Sequence, residues 1–184
     1  MTQFYDFKID EIKDLSLDEK NLRKKNLSLF YQKGFPNKNI EDWKFTDLNS
    51  ILSNSFSKII NKDFTSDEKK LQLIDEFEHN FIFLLDGKLN LNNFDYEDKD
   101  KIFIKNYNYR NETNTNKQNP LTLLNNALAT GGFSLEISKN YEFKKPLVVY
   151  NYFSKNLKES IINNKNSIIL NEGSQLTLIN YIDD

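Results

Sequence analysis

The 184-residue chain contains no cysteine, one histidine, one tryptophan, three prolines and five glycines. Without cysteine there is no disulfide framework, no thiolate metal site and no cysteine nucleophile. One histidine excludes any multi-histidine zinc or copper centre. The glycines are scattered, and neither GxGxxG nor GxxxxGKS/T occurs, so neither common glycine-rich phosphate loop is present. No apolar run approaches the roughly 20 residues that cross a bilayer. The acidic, mixed stretch Met1 to Asp14 lacks the basic and apolar regions of a signal peptide. With 25 Lys and Arg against 27 Asp and Glu, the net charge is -2, which argues against a dedicated polyanion binder. The expectation is a soluble, cytoplasmic protein with no evident reaction centre.

Aromatic residues are plentiful. Fifteen Phe and nine Tyr argue against disorder, because disordered chains are poor in rings. Met1 to Leu15 reads as an arm. Ser16 and Glu19 then have capping-box spacing, each able to satisfy a free N–H at a helix start. Leu22, Leu27, Phe30 and Tyr31 form the apolar stripe, Gly34 stops the helix and Pro36 prevents its continuation. A second helix opens at Thr46 as cap, with Leu48, Ile51, Leu52 and Phe56 at helical spacing. A third runs from Ser66 to Glu78, with Leu71, Ile74 and Phe77 on one side.

Phe81 to Leu85 is then a continuous apolar run, followed by Asp86-Gly87 and the alternating Leu89 and Leu91, a strong hairpin signal. Ile102 and Ile104 suggest another strand, and Asn106 to Asn119 reads as a linker. Asn119-Pro120 opens a helix lined by Leu121, Leu124 and Leu128, which Gly131-Gly132 should end. Thereafter come Phe133 to Ile137, Leu147 to Tyr152, Ser167 to Leu170 and Leu176 to Ile182. Short strands at close spacing suggest a sandwich, a barrel or a solenoid. The last run reaches Asp184 with no capping element, so the chain reads as cut.

Local patterns that could carry chemistry are weak. Gly132-Phe133-Ser134-Leu135-Glu136 begins like a nucleophile elbow, but Glu136 stands where the strained turn needs glycine. A serine at a strand start is the better reading. Asp95, Glu97, Asp98 and Asp100 miss the calcium-loop spacing and read as a solvated loop. Lys105, Tyr107, Tyr109 and Arg110 interleave rings and cations, as base-stacking sites do, but two Tyr packed on one side of a strand is the better reading for a chain this acidic, and no nucleic-acid partner is expected. His79 reads as a surface residue at a helix C-terminus. Glu41 and Asp42 form a carboxylate pair, and Trp43 a packing anchor.

One stretch is more informative: Gly34, Phe35 and Pro36, then Glu41, Asp42, Trp43, Lys44, Phe45, Thr46, Asp47 and Leu48. It resembles the N-terminal signature of the SufB/SufD family of the SUF iron–sulfur cluster assembly machinery, and its SufD branch above the SufB branch. Phe83 to Leu89, Pro120 to Ala127, Gly132 to Ile137, Lys145-Pro146-Leu147 and Ile168 to Leu178 fit the family in the same order.

The resemblance implies an α+β chain. Residues 1–15 would be an N-terminal arm and 16–131 a mainly helical domain with a short β-hairpin. Residues 132–184 would be the first strands of a right-handed parallel β-helix, cut short. It implies the N-terminal part of a protein about twice as long. Its role would be a non-catalytic scaffold subunit, with a SufB-like paralogue and a SufC-like ATPase as partners. No catalytic, metal or cofactor-binding residue is carried over. The iron–sulfur cluster and ATP belong to the assembled complex. Gly34, Pro36, Glu41, Asp42, Trp43, Lys44, Thr46 and Asp47 are expected to serve packing or partner contact. The alternatives are an unrelated β-solenoid or sandwich module binding a ligand through exposed rings, and, well behind, a hydrolase using Ser134 or Glu41.

Overall fold

The computed structural model describes residues 4–61, 70–108, 119–155, 157 and 159–183. In chain order these form β1 (Tyr5–Asp6), α1 (Leu17–Lys33), α2 (Leu48–Ser55), β2 (Ile59–Asn61), β3 (Asn80–Leu85), β4 (Lys88–Asn93), β5 (Ile102–Asn106), α3 (Pro120–Leu128), β6 (Phe133–Ile137), β7 (Leu147–Tyr152), β8 (Ser160–Ile161), β9 (Ser167–Leu170) and β10 (Leu178–Asp183). This is the mixed α+β content expected from the sequence. Two compact units share the chain. The first takes Met1–Asp63, Tyr109–Ala129 and Lys158–Asn163, and the second takes Phe64–Asn108, Thr130–Leu157 and Asn164–Asp184.

In the first unit α1 begins as its sequence dictates. The Ser16 side chain accepts from the Glu19 N–H while the Glu19 carboxylate accepts from the Ser16 N–H. At the other end Gly34 sits at φ +70° and its N–H donates to the Phe30 carbonyl at 2.7 Å. Leu27 and Phe30 pack with Leu123, Leu124, Ala127 and Leu128 of α3 in one core. Arg23, outside the apolar stripe, is buried as well, and its guanidinium donates to the Ala127 carbonyl at 2.9 Å. Within the stretch expected as an arm, Tyr5, Phe7 and Ile9 alternate into the same core. β1, β2 and β8 form a small parallel sheet beside it. Asn119 caps α3 through its side chain, with Pro120 in the first turn, as expected.

The second unit holds two sheets, ordered β10-β7-β3-β4 and β5-β6-β9. β10, β7 and β3 run parallel, and β4 returns antiparallel to β3 across Asp86-Gly87. Both turn residues have positive φ, +50° and +77°, so the expected hairpin is present. β6 pairs antiparallel with β5 and parallel with β9. β3 and β7 are buried on both faces. Ile82, Leu84, Leu147 and Val149 join one core, and Phe81, Phe83, Leu85, Val148, Tyr150 and Tyr152 another. A strand with no solvent face is apolar nearly throughout, which accounts for the runs Phe81–Leu85 and Leu147–Tyr150.

Three of the expectations are corrected by the course of the chain in and next to the second unit. Residues 70–78 form no helix, and 66–69 lie outside the described residues. This segment instead crosses the second core as a non-helical strap. The Gln72 carbonyl accepts from the Tyr152 hydroxyl at 2.9 Å, and the Ile74 N–H donates to the Tyr150 hydroxyl at 3.0 Å. Leu71 and Ile74 pack inward. Tertiary hydrogen bonds from two tyrosines override a helical spacing that is only three residues strong.

His79 is accordingly no surface helix residue. It is 9% exposed, with Nδ1 2.9 Å from the Phe77 carbonyl and Nε2 2.7 Å from the Tyr150 hydroxyl. Because a carbonyl only accepts, Nδ1 carries a proton and donates it in a hydrogen bond to Phe77, while Nε2 is bonded to the Tyr150 hydroxyl.

Gly131 and Gly132, thirdly, do not cap α3, which ends at Leu128 with Ala129 as its cap. They let backbones meet. The Gly131 carbonyl accepts from the Lys165 N–H at 3.0 Å and the Gly132 carbonyl from the Tyr107 N–H at 3.1 Å. A β-carbon on Gly131 would collide with the Gly87 carbonyl, and one on Gly132 with that of Lys165. Gly132 also holds φ at +108°, a region closed to residues with side chains. Gly132→Ala should therefore destabilise the protein by about 3 kcal/mol or more, measured as a lowered midpoint of urea unfolding. Ser134→Ala, at a half-buried strand position, should shift it far less.

Candidate functional site

The signature segment lies wholly in the first unit, and the structure divides it into two sets. One set packs. Phe30 and Phe35 are 0% and 3% exposed, with rings 5.1 Å apart and edge-on. Tyr5 meets Phe35 at 5.1 Å and stacks on Tyr31 at 5.8 Å. Edge-on and offset pairs of this kind add to the burial of the rings. The turn at Gly34 is what brings Phe35 back beneath Phe30. Pro36 is buried, and its carbonyl accepts from the Asn49 N–H at 3.1 Å, which ties the loop to the first turn of α2. Leu48 and Leu52 lie against the same core.

The other set faces water. Asn37 accepts from the Asn39 N–H at 2.9 Å, a side-chain turn that reverses the chain. Glu41, Asp42 and Trp43 make one short helical turn. Trp43 is half-buried, whereas Glu41, Asp42, Lys44, Phe45 and Thr46 are exposed. The Lys44 ammonium bonds to Glu41 at 2.9 Å and lies 5.3 Å from the Phe45 ring centre. Phe45 is 88% exposed. The helix cap is Asp47, whose side chain accepts from the Ser50 N–H at 2.9 Å, and not Thr46. An aspartate one residue nearer the helix reaches the same free N–H groups and suits the positive helix end. Glu41 and Asp42 are both exposed, and of the two Lys44 pairs with Glu41.

The second unit contains a carboxylate site that the sequence concealed. Glu97, in the acidic run read as a solvated loop, is 7% exposed. It accepts from the Asn80 amide at 2.8 Å, the Tyr141 hydroxyl at 2.8 Å, and the N–H groups of Lys144 and Lys145 at 3.0 and 3.1 Å. Burial pushes its pKa up, but the bonds from Lys144, Tyr141, Asn80 and Lys145 outweigh that and leave it below the ordinary value of 4.5. With its lone pairs filled from the protein, Glu97 staples the β4–β5 connection to the turn before β7. The donors lie 17 to 48 residues away, so no local pattern could have revealed it. Ser134 is the second residue of β6, opposite Lys105 and Ser167, in a strand and not at an elbow. Of the interleaved rings and cations, Tyr109 and Arg110 lie outside the described residues. Among the described residues no cluster of His, Cys, Asp or Glu is placed to hold a metal ion.

Residues 1–149 match the family model described as the SufBD protein N-terminal region. The chain belongs to the SufB/SufD family. The match covers the whole signature segment and Glu97, and ends within β7. No curated protein matches the chain significantly. As a SufB/SufD-family chain it belongs to the SUF iron–sulfur assembly system.

The division of the segment is measurable. Phe35→Ala should cost about 3–5 kcal/mol and Asp47→Ala about 1 kcal/mol in urea unfolding. Phe45→Ala should stay within about 0.5 kcal/mol of the parent. For Glu97, a folded pKa below the unfolded one gives stability that is complete above the ordinary glutamate value. That stability is lost as pH falls through the lowered folded value. Glu97→Gln turns one acceptor into a donor facing donors and should cost about 1–3 kcal/mol at pH 7. Repeating the unfolding curves in acid should show the gap between parent and variant narrowing.

Proposed function

We propose that the chain serves as a non-catalytic scaffold subunit of SUF iron–sulfur cluster assembly, of the SufD branch. The observation that carries this reading is the signature Glu41-Asp42-Trp43-Lys44-Phe45-Thr46-Asp47-Leu48, set within a chain of the SufB/SufD family. Its Trp-Lys-Phe-Thr-Asp-Leu block favours SufD over SufB. The partners are a SufB-like paralogue and a SufC-like ATPase, and the compartment is the cytoplasm. Cluster and ATP are handled by the complex, with no cofactor held by this chain.

The strand pairing supports a β-helix as the scaffold. Gly131 pairs with Asn164, Ser134 with Ser167 and Glu142 with Gln175, each partner 33 residues later and parallel. Further on, Leu147 pairs with Leu178 in the same sense. One stretch of chain thus lies along the next on several successive segments, which is the arrangement of a coil stacked on a coil. In this reading the β-helix begins near residue 132. The outward set of the signature, Trp43, Lys44 and Phe45, supplies a partner contact. An 88% exposed phenylalanine adds little to the core of its own unit, and aromatic side chains that become buried on association carry much of the energy at protein interfaces.

Co-expression of the chain with tagged SufB-like and SufC-like subunits tests the reading. The chain should co-purify with them, and Phe45→Ala should weaken its retention by roughly tenfold, about 1.4 kcal/mol. Failure of the parent chain to associate with either subunit would sink the scaffold assignment. Association unchanged by Phe45→Ala would remove only the proposed contact.

A further inference from the structure

The strap 70–79 has an outer side that the core does not use. Leu71 and Ile74 turn inward, leaving Leu73 and Phe77 45% and 39% exposed. With Ile74, His79, Phe81 and Tyr96 they line an open cleft of about 490 Å³. Tyr96 is 40% exposed. Carboxylates line the cleft too: Asp75, Glu76 and Glu78 on the strap, and Asp95 after β4. Two of the four are matched, Glu78 by Lys145 at 2.7 Å and Asp95 by Lys99 at 2.6 Å. Asp75 and Glu76 form no ion pair among the described residues, and both are exposed.

The two properties together select an occupant. Exposed rings and a leucine gathered at one concavity favour an apolar side chain, since burying such surface is worth about 25 cal/mol per Å². Asp75 and Glu76, which form no ion pair among the described residues, repel anionic ligands such as phosphates or nucleic acid. A purely apolar segment would desolvate those carboxylates without pairing them. A segment with an apolar or aromatic anchor flanked by arginine or lysine satisfies both demands. Guanidinium groups can in addition lie over the faces of Phe77 and Tyr96, as the Lys145 ammonium already does 5.9 Å from the Tyr96 ring centre. We propose that this cleft docks a basic, apolar-anchored peptide segment of a partner protein. The proposal rests on the cleft alone and is independent of the scaffold assignment.

The test uses the whole chain and a fluorescein-labelled octapeptide of alternating arginine and leucine with one central phenylalanine, followed by anisotropy. Micromolar binding is expected, weakening as salt rises because the rim contacts are screened. The double variant Asp75→Asn/Glu76→Gln, both positions exposed, should weaken it by roughly tenfold. Phe77→Ser should also weaken it, with circular dichroism confirming the fold. The control Glu11→Gln/Asp18→Asn, which removes the same charge elsewhere, should bind like the parent. A peptide with serine in place of leucine and phenylalanine should bind weakly. The proposal is overturned by absence of binding, by cleft variants that bind like the parent, by a control that weakens binding equally, or by a serine peptide that binds as well as the original.

Discussion

A strand buried on both faces has no polar side to offer water, and in this chain that requirement falls on β3 and β7. Their alternate residues feed two separate cores, so the parallel pair is the wall from which both are built. One core is closed by the second sheet, through Phe133, Leu135 and Ile137 of β6. Against the other, among the described residues, Leu71 and Ile74 of the strap pack. That packing explains the two tyrosines of β7. Tyr150 and Tyr152 bring hydroxyls to the surface of an apolar wall, where they bond the strap's backbone and His79. An extended segment laid over an apolar core would otherwise leave its N–H and C=O groups without partners.

The first unit solves a different problem, that of holding a reversing loop still. A glycine at positive φ, a buried phenylalanine and a buried proline carbonyl fix the start of the loop, and Asp47 fixes its end. Between those anchors the chain is free to present polar and aromatic groups outward. For the partner contact proposed above, a loop anchored at both ends has less conformational freedom to lose on association.

What was legible in the sequence was local. The capping box at Ser16, the stop at Gly34, the Asp86-Gly87 hairpin and the Asn119-Pro120 start each depend on residues within a few positions, and each is present. The signature segment was legible as a unit, and its packing half could be read from Gly34 and Pro36. What was not legible depends on distant partners. Leu71, Ile74 and Phe77 have helical spacing, yet two tyrosines near residue 150 decide their conformation. Glu97 sits among acidic neighbours that are solvated, and only donors from β3 and the segment before β7 distinguish it. Gly131 and Gly132 read as a helix stop because their true neighbours, Gly87 and Lys165, are remote in sequence.

The parallel ladders also bear on how the second unit assembles in time. The β3–β4 hairpin closes across two residues, an event of about 1–10 μs in isolated hairpins. Every other partner of β3 and β7 is remote: Asn80 pairs with Leu147, and Leu147 with Leu178. Long loops must therefore close before those ladders return any energy, and chains dominated by such separations fold slowly, in milliseconds to seconds. Until those ladders form, Phe81, Phe83 and Leu85 lack the neighbours from β7, Val148, Tyr150 and Tyr152, that cover them in the folded unit.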